Sequence, residues 1–175
     1  PIDPDALGLH PTGVEVIVDL DDVAVTVRVW RADVGRVRLY LLDTNVVSEL
    51  RKRPGQIDEN VSTWGAALAV NEQFLSSITV FEIELGILRI ERRDELQGKL
   101  LRRWFDARVI GAFEKRTLPV DREIARRAAL LHLPDPRPER DAYIAATALV
   151  RGLTVATRNV DDFVPMGVAV VNPWL

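Results

Sequence analysis

The chain contains no cysteine, which excludes disulfide bridges, thiolate metal sites and cysteine nucleophiles together. Its two histidines, His10 and His132, are too few and too far apart to form a zinc cage. Any bound metal must therefore be held by oxygen, and a hard divalent cation is expected. No apolar run approaches the length of a membrane span, and no basic stretch followed by a hydrophobic segment stands at the N-terminus, so a cytoplasmic protein is expected. Lysine is scarce, three against 20 arginines. Guanidinium groups grip phosphates in a bidentate way, so contact with a nucleic acid would run through local arginine patches rather than a diffuse field. An arginine-rich surface is also simply well solvated.

What remains is enough for a core. Of 175 residues, 47% are hydrophobic and 28% charged, which fits one folded domain with a small appendage. Residues 1 to 36 hold seven acids against three arginines, net −4, while the other 139 carry 19 acids and 20 bases, net +1. Within the first stretch, Val14 to Trp30 alternates in two runs, VEVIV and VAVTVRVW, around Asp19 to Asp22, the pattern of a β-hairpin. The polar junction at Arg31 to Arg36, with Gly35, predicts a boundary, so 1–36 reads as an extension and 37–175 as the main domain. Because the chain opens on Pro1 and Met166 is its only methionine, a natural start near Val37 is one expectation, with the first 36 residues as upstream sequence or adjunct.

The main domain opens on LYLLDTNVVSEL, residues 39 to 50, where four apolar residues run into Asp43 and then into a helical pattern. A short apolar run ending in a carboxylate predicts a buried strand that delivers the acid to a sheet edge, with Thr44 or Asn45 capping the following helix. Helical spacing follows at 58–70, a strand at 74–77, an apolar helix through TVFEIELGILRI, and an amphipathic one at 94–113. Then come a strand at 117–120, a helix capped by Asp121, a small-residue helix at 140–151, a strand at 153–156 and a last apolar segment at 168–171. Strands separated by helices predict an α/β fold with a short parallel sheet covered on both faces. Asp43 follows a strand, Glu82 lies in the first turn of a helix, and Asp141 opens another, so all three are expected at the carboxyl edge of the sheet. Clustered carboxylates repel unless a cation neutralises them, and Mg²⁺ or Mn²⁺ is the economical solution. Each acid also has a purely structural explanation: Asp43 as a helix cap, Glu82 as the partner of Thr79 in a capping box, and Asp141 as a helix-start acid favoured by the dipole.

Four blocks in order, LLDTNVVSEL, SSITVFEIELGI, RDAYIAATAL and VATRNVDDFVPMGVAVVNPW, resemble the PIN-domain ribonuclease family, within it the VapC and FitB type toxins of toxin-antitoxin pairs. The resemblance covers residues 38 to 174 and implies the PIN-like three-layer fold. It implies that Asp43, Glu82 and Asp141 are the catalytic acids and metal ligands, with Asp43 and Asp141 binding Mg²⁺ directly. Where many relatives carry a fourth aspartate this chain has Asn159, with Asp161 and Asp162 following. Either Asp162 substitutes, or Asn159 orients a water. Thr44 and Thr157 are expected as supporting hydroxyls, or as local backbone caps. The implied chemistry is metal-dependent hydrolysis of RNA to a 5′-phosphate, with tRNA among the target classes. The implied partners are a cognate antitoxin and a second copy of the chain. A PIN-like binding module without turnover is the competing function. Arg51, Arg53, Arg89, Arg92 and Arg93 are candidates for gripping the RNA backbone.

Overall fold

Alternation of Leu41 and Leu42 fixes the layering of the main domain. In the computed structural model, which describes Gly13–Val18, Val25–Trp30 and residues 38–175, both side chains are fully buried but on opposite faces of one strand. Leu41 joins Ala142, Ile144, Ala145, Ala148, Val155 and Phe163, whereas Leu42 joins Val46, Val47, Leu75, Ile83, Ile87 and Leu101. Successive strand residues point to opposite sides, so each face needs its own helical cover. Burying a leucine on each side is worth about 1.5–3 kcal/mol per side chain.

The chain divides into two compact units, Pro1–Val37 and Arg38–Leu175. In the first, β1 (Gly13–Val18) pairs antiparallel with β2 (Val25–Trp30), Gly13 opposite Trp30 and Val18 opposite Val25. The hairpin read from alternation is thus formed. Its acidic turn, Asp19 to Asp22, lies outside the described residues.

In the second unit, β3 (Tyr40–Leu42), β4 (Gln73–Ser76), β5 (Thr117–Leu118), β6 (Thr154–Ala156) and β7 (Val170–Val171) form one parallel sheet in the order β5-β4-β3-β6-β7. The chain builds outward from β3 through β4 to β5, then crosses back to place β6 on the other side of β3. The strand order therefore reverses at β3, where open parallel sheets leave a crevice outside their carboxyl ends.

One face is covered by α1 (Thr44–Leu50), α3 (Ser77–Glu91) and α4 (Glu95–Trp104), and the other by α7 (Glu139–Arg151). Helix α2 (Glu59–Ala67) packs on α1, and α6 (Arg122–Leu130) on α7 through Ile124, Ala128 and Ala146. The alanines of α7 let it approach closely: Ala142, Ala145, Ala146 and Ala148 are all fully buried. Gly152, at φ 67°, ends this helix in a left-handed turn that L side chains rarely adopt and hands the chain to β6.

Most predicted elements fall within a residue or two of their expected limits. Asp121 caps α6 as expected, accepting from the Ile124 N–H at 2.9 Å. The expected helix 94–113 differs: beyond Trp104 it widens into a π-helical stretch, Phe105–Ile110, before the short α5 (Gly111–Phe113). That widening leaves both Phe105 and Val109 in the core. Among the described residues no helix is long and apolar enough to cross a membrane.

Candidate active site

Asp43 is the residue that leaves β3. Its backbone N–H continues the sheet, donating to Ala156 O at 3.0 Å, and this fixes the carboxylate at the reversal point. Its Oδ1 accepts from the Thr44 N–H at 2.7 Å, so Asp43 itself caps α1, in place of the expected Thr44 or Asn45. Capping is not its whole role, because Oδ2 accepts from Thr157 Oγ1 and from Asn45 Nδ2, each at 2.6 Å. The side chain is 5% exposed. Burial raises its pKa, hydrogen bonds from Thr157 and Thr44 oppose that, and the charge of Glu82 raises it again.

Glu82 sits on α3, the helix after β4, in the second turn rather than the expected first, because the helix already begins at Ser77. The expected capping box with Thr79 does not form: Ser76 caps α3, accepting from the Ile78 N–H at 3.2 Å, and buried Thr79 donates to Leu42 O at 3.3 Å. Glu82 instead turns toward Asp43's neighbour, accepting from Thr44 Oγ1 at 2.5 Å, and its Oε1 lies 3.5 Å from Arg140 Nη1. The structural explanation of Glu82 is thereby removed.

Asp141 lies in the first turn of α7, half-buried, with its pKa pushed up to about 6. Burial is the largest cause, followed by the charges of Asp43, Asp162 and Glu82, with Arg140 opposing. Four carboxylates from four separate elements thus share one electrostatic neighbourhood. Asp162 belongs to it, on α8 (Val160–Phe163), and is exposed. Asn159 starts that helix without capping it by its side chain, and its backbone N–H donates to Thr157 Oγ1 at 3.0 Å.

Asn45 was not singled out from sequence beyond a possible cap. Its Nδ2 donates to Asp43 and, at 2.9 Å, to Thr157 Oγ1, while its Oδ1 accepts from the Arg158 N–H at 3.3 Å. One amide ties the loop after β3 to the loop after β6. The signal available in sequence was only its place two residues after Asp43.

Among the described residues no three acidic or histidine side chains are set closely enough to make a ready cation cage. Glu82 is turned to Thr44 and Arg140, and Asp43 Oδ2 to Thr157 and Asn45, so the acids share a crevice rather than one coordination sphere. The donor set still fits a hard divalent cation. It is all oxygen, its members raise one another's proton affinity, and Mg²⁺ needs few protein ligands because it keeps several waters.

Of the arginines that are candidates for gripping RNA, four can be placed relative to the acids. Arg89, Arg92 and Arg93 stand at the far end of α3, about 10 Å or more of helix rise from Glu82. Arg51 follows α1 and lies 5.6 Å from the centre of the Trp104 ring, in a groove of about 360 Å³ that Leu42, Val47, Leu50 and Val109 also line.

A parallel sheet reversing at a central strand, with acids delivered from the ends of β3, β4 and β6, defines a known class. Residues 40–165 match the PIN domain, and the chain belongs to that family. It is 38% identical to toxin FitB of Neisseria gonorrhoeae over 146 residues, covering 78% of this chain and 99% of that protein. It is 35% identical to VapC ribonuclease Y4jK of Sinorhizobium fredii over 144 residues, covering 78% of this chain and 98% of that one. The crystal structure of FitAcB from Neisseria gonorrhoeae superimposes with a TM-score of 0.70 at 35% identity, covering 78% of this chain and 99% of the matched chain.

Proposed function

We propose that the protein is a Mg²⁺- or Mn²⁺-dependent endoribonuclease, the toxin of a toxin-antitoxin pair, acting in the cytoplasm and neutralised by a cognate antitoxin. The observation that carries this reading is that Asp43, Glu82 and Asp162 gather around half-buried Asp141, closely enough for their charges to reach it, at the reversal of a parallel sheet. The names of the relatives, a toxin and a ribonuclease, point the same way.

Asp43 and Asp141 are the residues that would hold the cation, and a divalent ion there supplies Lewis-acid activation of the scissile phosphate. Asp43 would offer Oδ1, which accepts one hydrogen bond, from the Thr44 N–H, rather than Oδ2, which accepts two. Glu82, oriented by Thr44, takes the role of carboxylate that receives the proton of the attacking water. Asp162 fills the fourth acidic position rather than Asn159, since its charge reaches Asp141. The substrate is RNA, tRNA included, cut to leave a 5′-phosphate. The nuclease body is residues 37–175, residues 1–36 are an adjunct, and the working unit is a homodimer.

The test is cleavage of RNA by the full chain with Mg²⁺ or Mn²⁺, against chelator and against Asp43→Asn. Loss of cleavage in both controls is expected. Cleavage indifferent to both refutes the mechanism, and RNA binding without cleavage in the unmodified chain favours the alternative, a PIN-like binding module.

A further inference from the structure

We propose that Arg140 and Arg158 form a two-point phosphate clamp, gripping the RNA backbone on either side of the acidic crevice. This inference rests on the ribonuclease reading above.

Four arginines among the described residues lie over aromatic rings. Arg116 is spent on structure, donating to Gln73 O and Ala112 O at 2.6 Å each. Arg51 lies in the groove beside Trp104, away from the acids. The other two are joined directly to site residues. Arg140 precedes Asp141, rests 5.2 Å from the Phe81 ring centre and approaches Glu82 Oε1 at 3.5 Å. Arg158 follows buried Thr157, gives its backbone N–H to Asn45 Oδ1 and rests 5.1 Å from the Trp174 ring centre.

Both guanidinium groups are accessible. The Arg140 side chain is 47% exposed, and Arg158 is exposed. Arg140 has one long ion pair, and among the described residues no carboxylate is within ion-pair distance of Arg158. Glu49 is near enough to feel the Arg158 charge, but its own partners are Lys52 Nζ at 2.7 Å and the Asp58 N–H at 3.0 Å. An arginine resting against a ring has less rotamer freedom to lose on binding, and an exposed guanidinium keeps N–H groups for bidentate contact with phosphate oxygens.

A polyanion approaching four carboxylates is repelled unless fixed cations stand beside them. Arg140, on the α7 side, and Arg158, on the α1 side, are placed to supply that attraction. The chain's balance of 20 bases and 19 acids beyond residue 36 provides no overall field to do it. Arg140 would exchange its long contact with Glu82 for a phosphate, which also frees Glu82.

The experiment uses the full chain carrying Asp43→Asn, so that RNA is bound and not cut. It measures fluorescence anisotropy with a labelled single-stranded 20-nucleotide RNA of mixed sequence, in chelator, over a salt series. Arg140→Gln and Arg158→Gln should each weaken binding about 3- to 10-fold and reduce the slope of log K against log salt by about 0.7, the value for one phosphate contact on a single strand. Arg158→Lys should restore the slope, and Trp174→Ala should weaken binding without changing it. Matched thermal melts exclude unfolding. Unchanged affinity, weaker binding at unchanged slope in both Gln variants, or no RNA binding by the Asp43→Asn chain each overturns the clamp. Metal-dependent cleavage by the unmodified chain, measured in parallel, stands or falls separately.

Discussion

Two places in this domain bring acids together, and they solve the problem in opposite ways. Between α3 and α4, Glu84 and Glu91 converge on a single cation: Arg102 Nη1 reaches both oxygens of Glu84 at 2.5 and 2.6 Å, and its Nε reaches Glu91 at 3.2 Å. The hydrogen bonds that Arg102 donates to Glu91 and then to Glu84 hold the guanidinium pKa above its ordinary value. At the sheet edge, Asp43, Glu82, Asp141 and Asp162 converge with only Arg140 at 3.5 Å to offset them, and the Asp141 pKa climbs to about 6. In the first cluster a shared guanidinium offsets one of two negative charges and staples a helical hairpin. The second keeps a larger excess of carboxylates around a perturbed Asp141, a pattern that marks candidate functional sites.

The sharpest way to break this contrast is Asp141→Asn. We expect RNA cleavage to fall about 100-fold or more, roughly 2.7 kcal/mol of barrier. The metal-free protein should gain thermal stability at pH 7, because a like charge has been removed. A loss of both activity and stability would show that Asp141 is structural.

Next is Gly98→Ala, at the closest approach of α4 to α3. An added Cβ would sit 2.6 Å from Glu91 Cα and 2.9 Å from its N, backbone atoms that cannot step aside. Urea unfolding should show a loss of about 1–3 kcal/mol. An unchanged midpoint would mean that α4 can shift freely.

The acidic crevice should also respond to pH. The folded chain holds the Asp141 proton more tightly than an unfolded chain, whose carboxyl titrates near 3.8. The penalty from this group is therefore absent below about pH 3.8 and full above about pH 6. The difference in melting temperature between Asp141→Asn and the metal-free parent should grow as pH rises from 4 to 7. Saturating Mg²⁺ should narrow it, since a ligand that binds the folded state alone stabilises that state. A difference that stays flat with pH would contradict the raised pKa.

The smallest effect belongs to Arg102→Gln. Exposed ion pairs are screened by water, so a loss of about 1 kcal/mol is expected, shrinking in high salt and leaving cleavage untouched. A large drop in cleavage would mean that the α3–α4 staple also positions Glu82.

Legibility from sequence followed the same divide. Asp43 and Asp141 could be found because each stands where an apolar strand or a helix start delivers it, and a parallel sheet collects such positions at one edge, whereas Glu82 lies a turn deeper in its helix than expected. The partners of those acids could not. Thr79 reads as a helix cap, yet it bonds to the end of β3, because β4 lies beside that strand. Asn45 reads as a turn residue, yet it spans to Thr157, 112 positions away. Which arginines face the crevice depends likewise on the neighbours of β3. The widened helix at Phe105–Ile110 carries no proline or internal glycine to announce it.

The insertion of β6 beside β3 has a consequence for timing. Asp43 leaves the ribosome early, but the hydroxyl that orients it belongs to Thr157, 114 residues later, and its own backbone N–H waits for Ala156. A nascent or truncated chain ending at Gly152 carries Asp43, Glu82 and Asp141 but has no β6 to close the sheet over them. Until that strand is in place, Asp43 has neither its hydrogen bond into the sheet nor the hydroxyl that orients its carboxylate.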